Sequence, residues 1–430
     1  MLSAVGWGFS HVTVGTFPKS ARRIFEPSTI AATTPSTADA LNDTDGAPCK
    51  ERRGARHVTV HEDESTWKAV AVLVSIGVLI LATACASHKK VTIRAPSSSV
   101  WLELGGAIGL SVALNVLLAA CCWHWSSRKP ALLALGGLLL VIPYTLPLRG
   151  IAATAMALIL FIGVWKLLDV LAGTSPPALR SAGFPSFVAH FASPVEYRLD
   201  ARLAVAARRG LWRAELWELT QICASLSLVL SVHGALSAHT VASTAAAALT
   251  LYAEVWMVYL FLRVLTSAFS TLLALCGFAP RTMWRAPLLT STSVSDFWGR
   301  RWNLLIHGLF RRTVFSPLTL RGVPAWAAGA LAFAISGLFH EYAFALQQPS
   351  LRDSLGRCLL FFLAQAPAVS AEKALRRRLG VPQLLQHSAT ACTIGCTLLI
   401  VPFAPLFMHP LKTSDVFASI FDLVPRVAFE

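Results

Sequence analysis

The chain has 430 residues, 55% of them hydrophobic and only 14% charged, with a mean hydropathy of +0.60, a balance that excludes an ordinary soluble domain. The formal net charge is +15, but the basic residues gather in short clusters between apolar runs, which is a pattern of membrane topology rather than of nucleic-acid binding. The apolar residues run continuously instead of alternating as in a membrane β-barrel. The expected fold is therefore all-α, a polytopic transmembrane helical bundle of about 8–10 spans.

Residues 1–66 mix Ser, Thr, Pro, Ala and charges without apolar periodicity, and read as a disordered N-terminal tail. Its first acidic residue is Glu26, after Lys19, Arg22 and Arg23, so an organellar transit peptide is the alternative reading. The membrane domain is assigned to 67–430. Spans are predicted at 69–87, 100–123, 131–148, 151–173, 216–236, 240–276, 324–346, 355–372 and 389–409.

With a cytosolic N-terminus, the loops 125–130, 174–215, 277–323 and 373–388 share one side. They carry Arg128 and Lys129, then Arg202, Arg208, Arg209 and Arg213, then the arginines from Arg281 to Arg321, and finally Lys373 with Arg376, Arg377 and Arg378. This is the positive-inside arrangement, against which Lys89, Lys90 and Arg94 weigh. The segment 240–276 is overlong for one perpendicular crossing and holds Glu254 and Arg263. It predicts a tilted span with a buried ion pair. Cys392 and Cys396 would share a helix face, but no second ligand pair accompanies them, so neither a metal nor a cofactor is expected.

Two segments depart from a plain bundle. Phe297-Trp298-Gly299-Arg300-Arg301-Trp302-Asn303 puts two Trp, two Arg and an Asn at the edge of an apolar stretch, as an interfacial belt also would. Ser336-Gly337-Leu338-Phe339-His340-Glu341 places an imidazole and a carboxyl group inside a lipid-compatible span. Each such group costs roughly 2.5–3.5 kcal/mol on a lipid-facing helix, so a cavity is the expected environment. His340 follows Asn303 by 37 residues.

Together these segments resemble the signature and the histidine segment of the wax-synthase branch of the membrane-bound O-acyltransferase superfamily. The likeness is close over residues 290–345 and rests elsewhere on hydropathy. It implies a helical bundle with an intramembrane tunnel, fatty acyl-CoA entering from the cytosol as co-substrate, and a lipid alcohol entering from the bilayer. It also implies that His340 is the catalytic histidine and Asn303 the second polar active-site residue. The endoplasmic reticulum is the membrane expected, with a plastid membrane second.

The chemistry is consistent with those roles. An alcohol needs a base as it attacks a thioester, and imidazole titrates in the right range; Asn303 either donates to the developing oxyanion or orients the other groups. Ser336 lies one turn before His340, facing the pocket or allowing close packing. Glu341 is rotated by about 100° from His340 and supports the site from beside it. Arg300 and Arg301 suit CoA phosphates and equally suit positive-inside anchoring. Trp298 and Trp302, spaced i, i+4, predict one aromatic face against the tunnel or the interface. His307 reads as a structural histidine. The expected activity is wax ester formation from a long-chain alcohol, with a sterol or diacylglycerol acceptor as the alternative. From another class, a transporter would use His340, Glu341, Glu254 and Arg263 to line a polar path.

Overall fold

The computed structural model describes residues 71, 73–87, 90–199, 207, 209–238, 244–345, 355–379 and 404–429. The predicted tail, Lys89, Arg202, Arg208, Cys392, Cys396 and the first part of the 389–409 span lie outside them. The fold is predominantly helical and polytopic, and among the described residues five helices are long and apolar enough to cross a membrane. These are α2 (Ser98–His124), α4 (Gly150–Leu171), α7 (Leu211–Ala238), α8 (Thr244–Leu275) and α13 (Ala325–Ala345).

Helices α1 (Leu73–Ser87) and α3 (Lys129–Thr145) are shorter apolar helices at two further predicted spans. The predicted span 355–372 overlaps α14 (Arg357–Leu379), and the end of the last lies within α15 (Ala404–Lys412). The predicted loop 174–215 contains α5 (Ala178–Ser181) and α6 (Phe184–Ala192). The stretch after residue 276 breaks into α9 (Pro287–Thr290), α10 (Val294–Asp296), α11 (Leu304–Phe310) and α12 (Ser316–Leu320), interrupted by π-helical turns at Phe297–Arg301 and Arg311–Phe315.

Helix α4 is the central pillar. Apart from Lys166 and Asp169 it is apolar on every side, as suits a helix surrounded by protein, and residues along its whole length are buried. Helices α2, α3, α6, α11 and α13 and the short α16 (Asp415–Ile420) all pack on it. The contact with α2 is close because Gly163 leaves room for Asn115; a Cβ there would lie 2.1 Å from the Asn115 Oδ1. Asn115 uses its Nδ2 to donate to the Ile159 carbonyl at 3.1 Å.

Buried charges fasten this pillar to its neighbours. Lys166, fully buried in α4, donates to the carbonyls of His190 (2.6 Å) and Ser193 (2.7 Å) at the end of α6. Those carbonyls are the unpaired acceptors of a helix C-terminus, where a cation is favoured. One turn on, buried Asp169 pairs with Arg312 at 3.0 Å, and the same guanidinium reaches Glu196 at 3.0 Å. The second π-helical turn is thereby tied to both α4 and the segment after α6.

At the other end of the chain, β1 (Val91–Arg94) pairs antiparallel with β2 (Arg426–Phe429), with Val91 opposite Phe429. Helix α7 packs on β2, whose Val427 N–H donates to the Ser231 hydroxyl at 2.9 Å. The overlong span is a single helix, α8. Its Glu254 is buried and paired with Lys412 at 2.7 Å, and Arg263 pairs with Glu218.

Candidate active site

Asn303 is placed by an irregular backbone. The first π-helical turn closes with Trp302 N–H donating to the Phe297 carbonyl at 2.8 Å, and the chain then passes through Asn303 in the left-handed region, φ 39° and ψ 66°. Asparagine tolerates that conformation better than other side chains. Strand-like contacts with the preceding segment hold the reversal: Arg285 N–H donates to Arg301 O at 3.1 Å, and Leu304 N–H to Met283 O at 3.0 Å. Asn303 then caps α11, its Oδ1 accepting from the Ile306 N–H at 3.4 Å. The remaining polar atom of its amide, Nδ2, is a hydrogen-bond donor.

His340 sits on α13, where close packing against α14 depends on Gly337. A Cβ at that position would lie 2.8 Å from the Leu359 Cα. The imidazole is bound by its own helix, since Nδ1 lies 2.7 Å from the Ser336 carbonyl oxygen. A carbonyl only accepts, so Nδ1 carries the proton and Nε2 keeps its lone pair. Rings of Phe362 (4.6 Å), Phe339 (5.1 Å) and Phe407 (5.3 Å) surround the imidazole.

Asn303 and His340 line one cavity of about 220 Å³. Trp298, Trp302, Ser336 and His307 line it too, within walls that are otherwise largely aromatic and aliphatic. The two tryptophans do not share an α-helical face, because Trp298 lies in the π-helical turn and Trp302 is extended. The turn nevertheless brings their rings to 6.2 Å. Trp298 is pinned by its indole N–H donating to Gln365 at 3.2 Å, and Trp302 stacks on Phe297 at 5.1 Å.

Three residues named from the sequence lie elsewhere. Glu341 accepts from the Leu359 N–H at 3.0 Å, in the first turn of α14, where a carboxylate satisfies an otherwise unpaired donor. Arg300 and Arg301 both pair with buried Asp296, at 2.8 and 2.6 Å. Burial pushes the Asp296 carboxyl up, but the Thr292 N–H and the two arginines outweigh it and hold it below the usual range. Neither Glu254 nor Arg263 lines the cavity with His340.

His307 is a cavity residue that sequence reasoning set aside. It lies one helical turn after Asn303, and its ring is hydrogen-bonded to the Trp298 backbone carbonyl. Burial, reinforced by Arg311, pushes its pKa down to about 4, which keeps it neutral at physiological pH. The i, i+4 spacing from Asn303 was its only signal. Phe361, Phe362 and Phe407 carried no signal at all, since phenylalanine in an apolar run is unremarkable until the helices pack.

Comparison with known proteins bears on this same region. Residues 283–364 match the membrane bound O-acyl transferase family, a stretch that includes Asn303, His307 and His340. Among similar proteins, the probable long-chain-alcohol O-fatty-acyltransferase 1 of Arabidopsis thaliana is 31% identical over 179 residues, covering 39% of this chain and 48% of the relative. The long-chain-alcohol O-fatty-acyltransferase of Simmondsia chinensis is 31% identical over 136 residues, 24% of this chain and 38% of the relative. An acyl-CoA–sterol O-acyltransferase 1 of Arabidopsis thaliana is 32% identical over 127 residues, 27% of this chain and 36% of the relative. The chain thus spans less than half the length of each of these relatives.

Proposed function

We propose that this protein is a membrane O-acyltransferase that moves a fatty acyl group from acyl-CoA to a long-chain alcohol, forming a wax ester, with His340 as general base. The observation that carries this reading is the shared cavity: Asn303 and His340, on separate elements, face one apolar chamber. His340 Nε2 takes the hydroxyl proton as the alcohol oxygen bonds to the thioester carbonyl carbon. The resulting oxyanion receives a hydrogen bond from the Asn303 amide. The carbon–sulfur bond then breaks, the ester is released, and the proton passes to the departing CoA thiolate. No acyl-enzyme is needed, because a thiolate is a competent leaving group.

The aromatic and aliphatic walls suit hydrocarbon chains, and the long-chain-alcohol enzymes among the similar proteins support that acceptor. The sterol enzyme at 32% identity favours a second reading, in which a sterol is the acceptor in the same chamber with the same base. A transporter path is disfavoured because Glu254 and Arg263 are held in ion pairs away from His340.

The test is ester formation in membranes containing the protein, from labelled palmitoyl-CoA with hexadecanol, cholesterol or diacylglycerol, beside a His340→Ala variant. Wax ester that vanishes in the variant is expected. Sterol ester or triacylglycerol instead would replace the acceptor, and absence of every ester from the folded protein would overturn the reading.

A further inference from the structure

A second cavity, of about 430 Å³, lies beside the chamber that holds Asn303 and His340. Arg198, Arg263 and Arg281 line it with Glu215 and Glu218. Arg198, Glu218 and Arg281 are exposed, so the charged groups there keep their water. The chamber itself has mostly aromatic and aliphatic walls, and an apolar cavity of that kind stays dry. Thr266, Met283 and Trp284 line both cavities and form the partition between the wet side and the dry one.

We propose that the Trp284 partition decides between alcohol and water as the acyl acceptor, and that opening it turns the site into an acyl-CoA thioesterase. The inference rests on the acyl-transfer reading and names what keeps that reaction from running to water. A base that takes a proton from an alcohol takes one from water equally well. With water in the chamber, its oxygen bonds to the thioester carbonyl carbon as His340 Nε2 takes one proton. The carbon–sulfur bond then breaks and that proton passes to the CoA thiolate, leaving a fatty acid and CoA. Hydrolysis needs no residue beyond those that form the ester, so exclusion of water separates the two outcomes.

The partition is held shut by its own contacts. The Trp284 indole N–H donates to the Thr266 hydroxyl at 3.0 Å, and that hydroxyl donates to the Leu262 carbonyl at 2.9 Å. Each group has a single donor, so neither is left with a proton to offer a water. The indole stands edge-on to Trp302 at 5.1 Å and to Tyr259 at 5.5 Å. Tyr259 is in turn fixed from the charged side, its hydroxyl accepting from Arg263 Nη1 at 2.9 Å. Met283, buried like Trp284, gives its carbonyl to the Leu304 N–H at 3.0 Å. The partition is therefore continuous with the backbone contact that places Asn303.

The experiment uses the full chain in phosphatidylcholine proteoliposomes, with Trp284→Ala and the gentler Thr266→Val, which keeps the side-chain shape but leaves the indole N–H without an acceptor. Labelled palmitoyl-CoA is supplied with hexadecanol, and palmitate and ester are separated. The palmitate-to-ester ratio should rise about ten-fold in Trp284→Ala and about three-fold in Thr266→Val. A merely structural defect lowers both products together, and an unchanged ratio overturns the proposal. The extra palmitate should vanish when His340→Ala is added; palmitate that persists is not made at this site and also overturns it. Access is read separately, without chemistry, by site-resolved modification of the thiol introduced by Ser336→Cys in the chamber wall, using a sulfonated, membrane-impermeant methanethiosulfonate. Modification that is slow with Trp284 in place and about ten-fold faster with Trp284→Ala supports the partition, whereas equal rates overturn it. A protein that makes no ester yet shows this Trp284-dependent access would sink the acyl-transfer reading and leave the partition. Ester formation with the ratio and the access both unchanged would sink the partition and leave that reading.

Discussion

Gly337→Ala tests whether the contact between α13 and α14 sets the position of the proposed base. The new methyl group would meet the Leu359 Cα at 2.8 Å and its Cδ1 at 3.0 Å, where ordinary contact begins at 3.4 Å. The nearer obstacle is backbone, so side-chain rotation cannot relieve it, and the helices must separate by about half an ångström. Such overpacking costs about 1–3 kcal/mol. Alanine recovers about 1 kcal/mol of helix propensity over glycine, leaving a net loss of about 1 kcal/mol. Catalysis should suffer more than stability, because His340 is one turn away on the displaced helix and a misplacement of about 1 Å can cost on the order of a hundred-fold in rate. A fall in kcat of about ten-fold, with a small drop in the thermal midpoint in detergent, is the expected result. Leu359→Ala added to the variant should restore little, since it removes Cδ1 and leaves Cα. Unchanged kcat, or full restoration by that second substitution, would refute the packing argument.

Replacing Asn303 by Gly should keep the left-handed backbone yet lower kcat by about 10²–10³, whereas Asn303→Ala should lose about 1 kcal/mol of helix capping as well; comparing kcat and unfolding midpoints of the pair separates chemistry from structure. His340→Gln should lower ester formation by at least about 10² without loss of folded protein, read by rate and by size-exclusion profile. Arg312→Ala removes the guanidinium paired with fully buried Asp169, while Glu196 keeps Arg281, and should destabilise by about 3 kcal/mol, seen as loss of folded protein on extraction. Asp296 is held below the usual carboxylate range, so its contribution to stability is complete above about pH 4 and disappears as pH falls through the depressed folded value. Asp296→Asn should therefore lower the unfolding midpoint at pH 7 and flatten its acid dependence.

The continuous apolar runs by themselves determined that this chain is a helical membrane protein, because the bilayer core forces every backbone group to be satisfied within a segment. They also located the long apolar helices among the described residues, including α8 around Glu254, but not the short ones within the predicted loops 174–215 and 277–323. Polar residues at Asn303 and His340 marked the candidate site, and both line one cavity, the environment in which a membrane bundle tolerates such groups. What the sequence could not decide was which neighbours share that cavity. Trp298 and Trp302 come together through a π-helical turn that α-helical spacing does not anticipate, and Phe362 and Phe407 reach His340 from helices α14 and α15. Charge alone likewise pointed to Arg300 and Arg301, but a carboxylate four or five residues before them binds both. Local pattern follows from periodicity and solvation along the chain; the partners of a charged or aromatic side chain follow from tertiary packing.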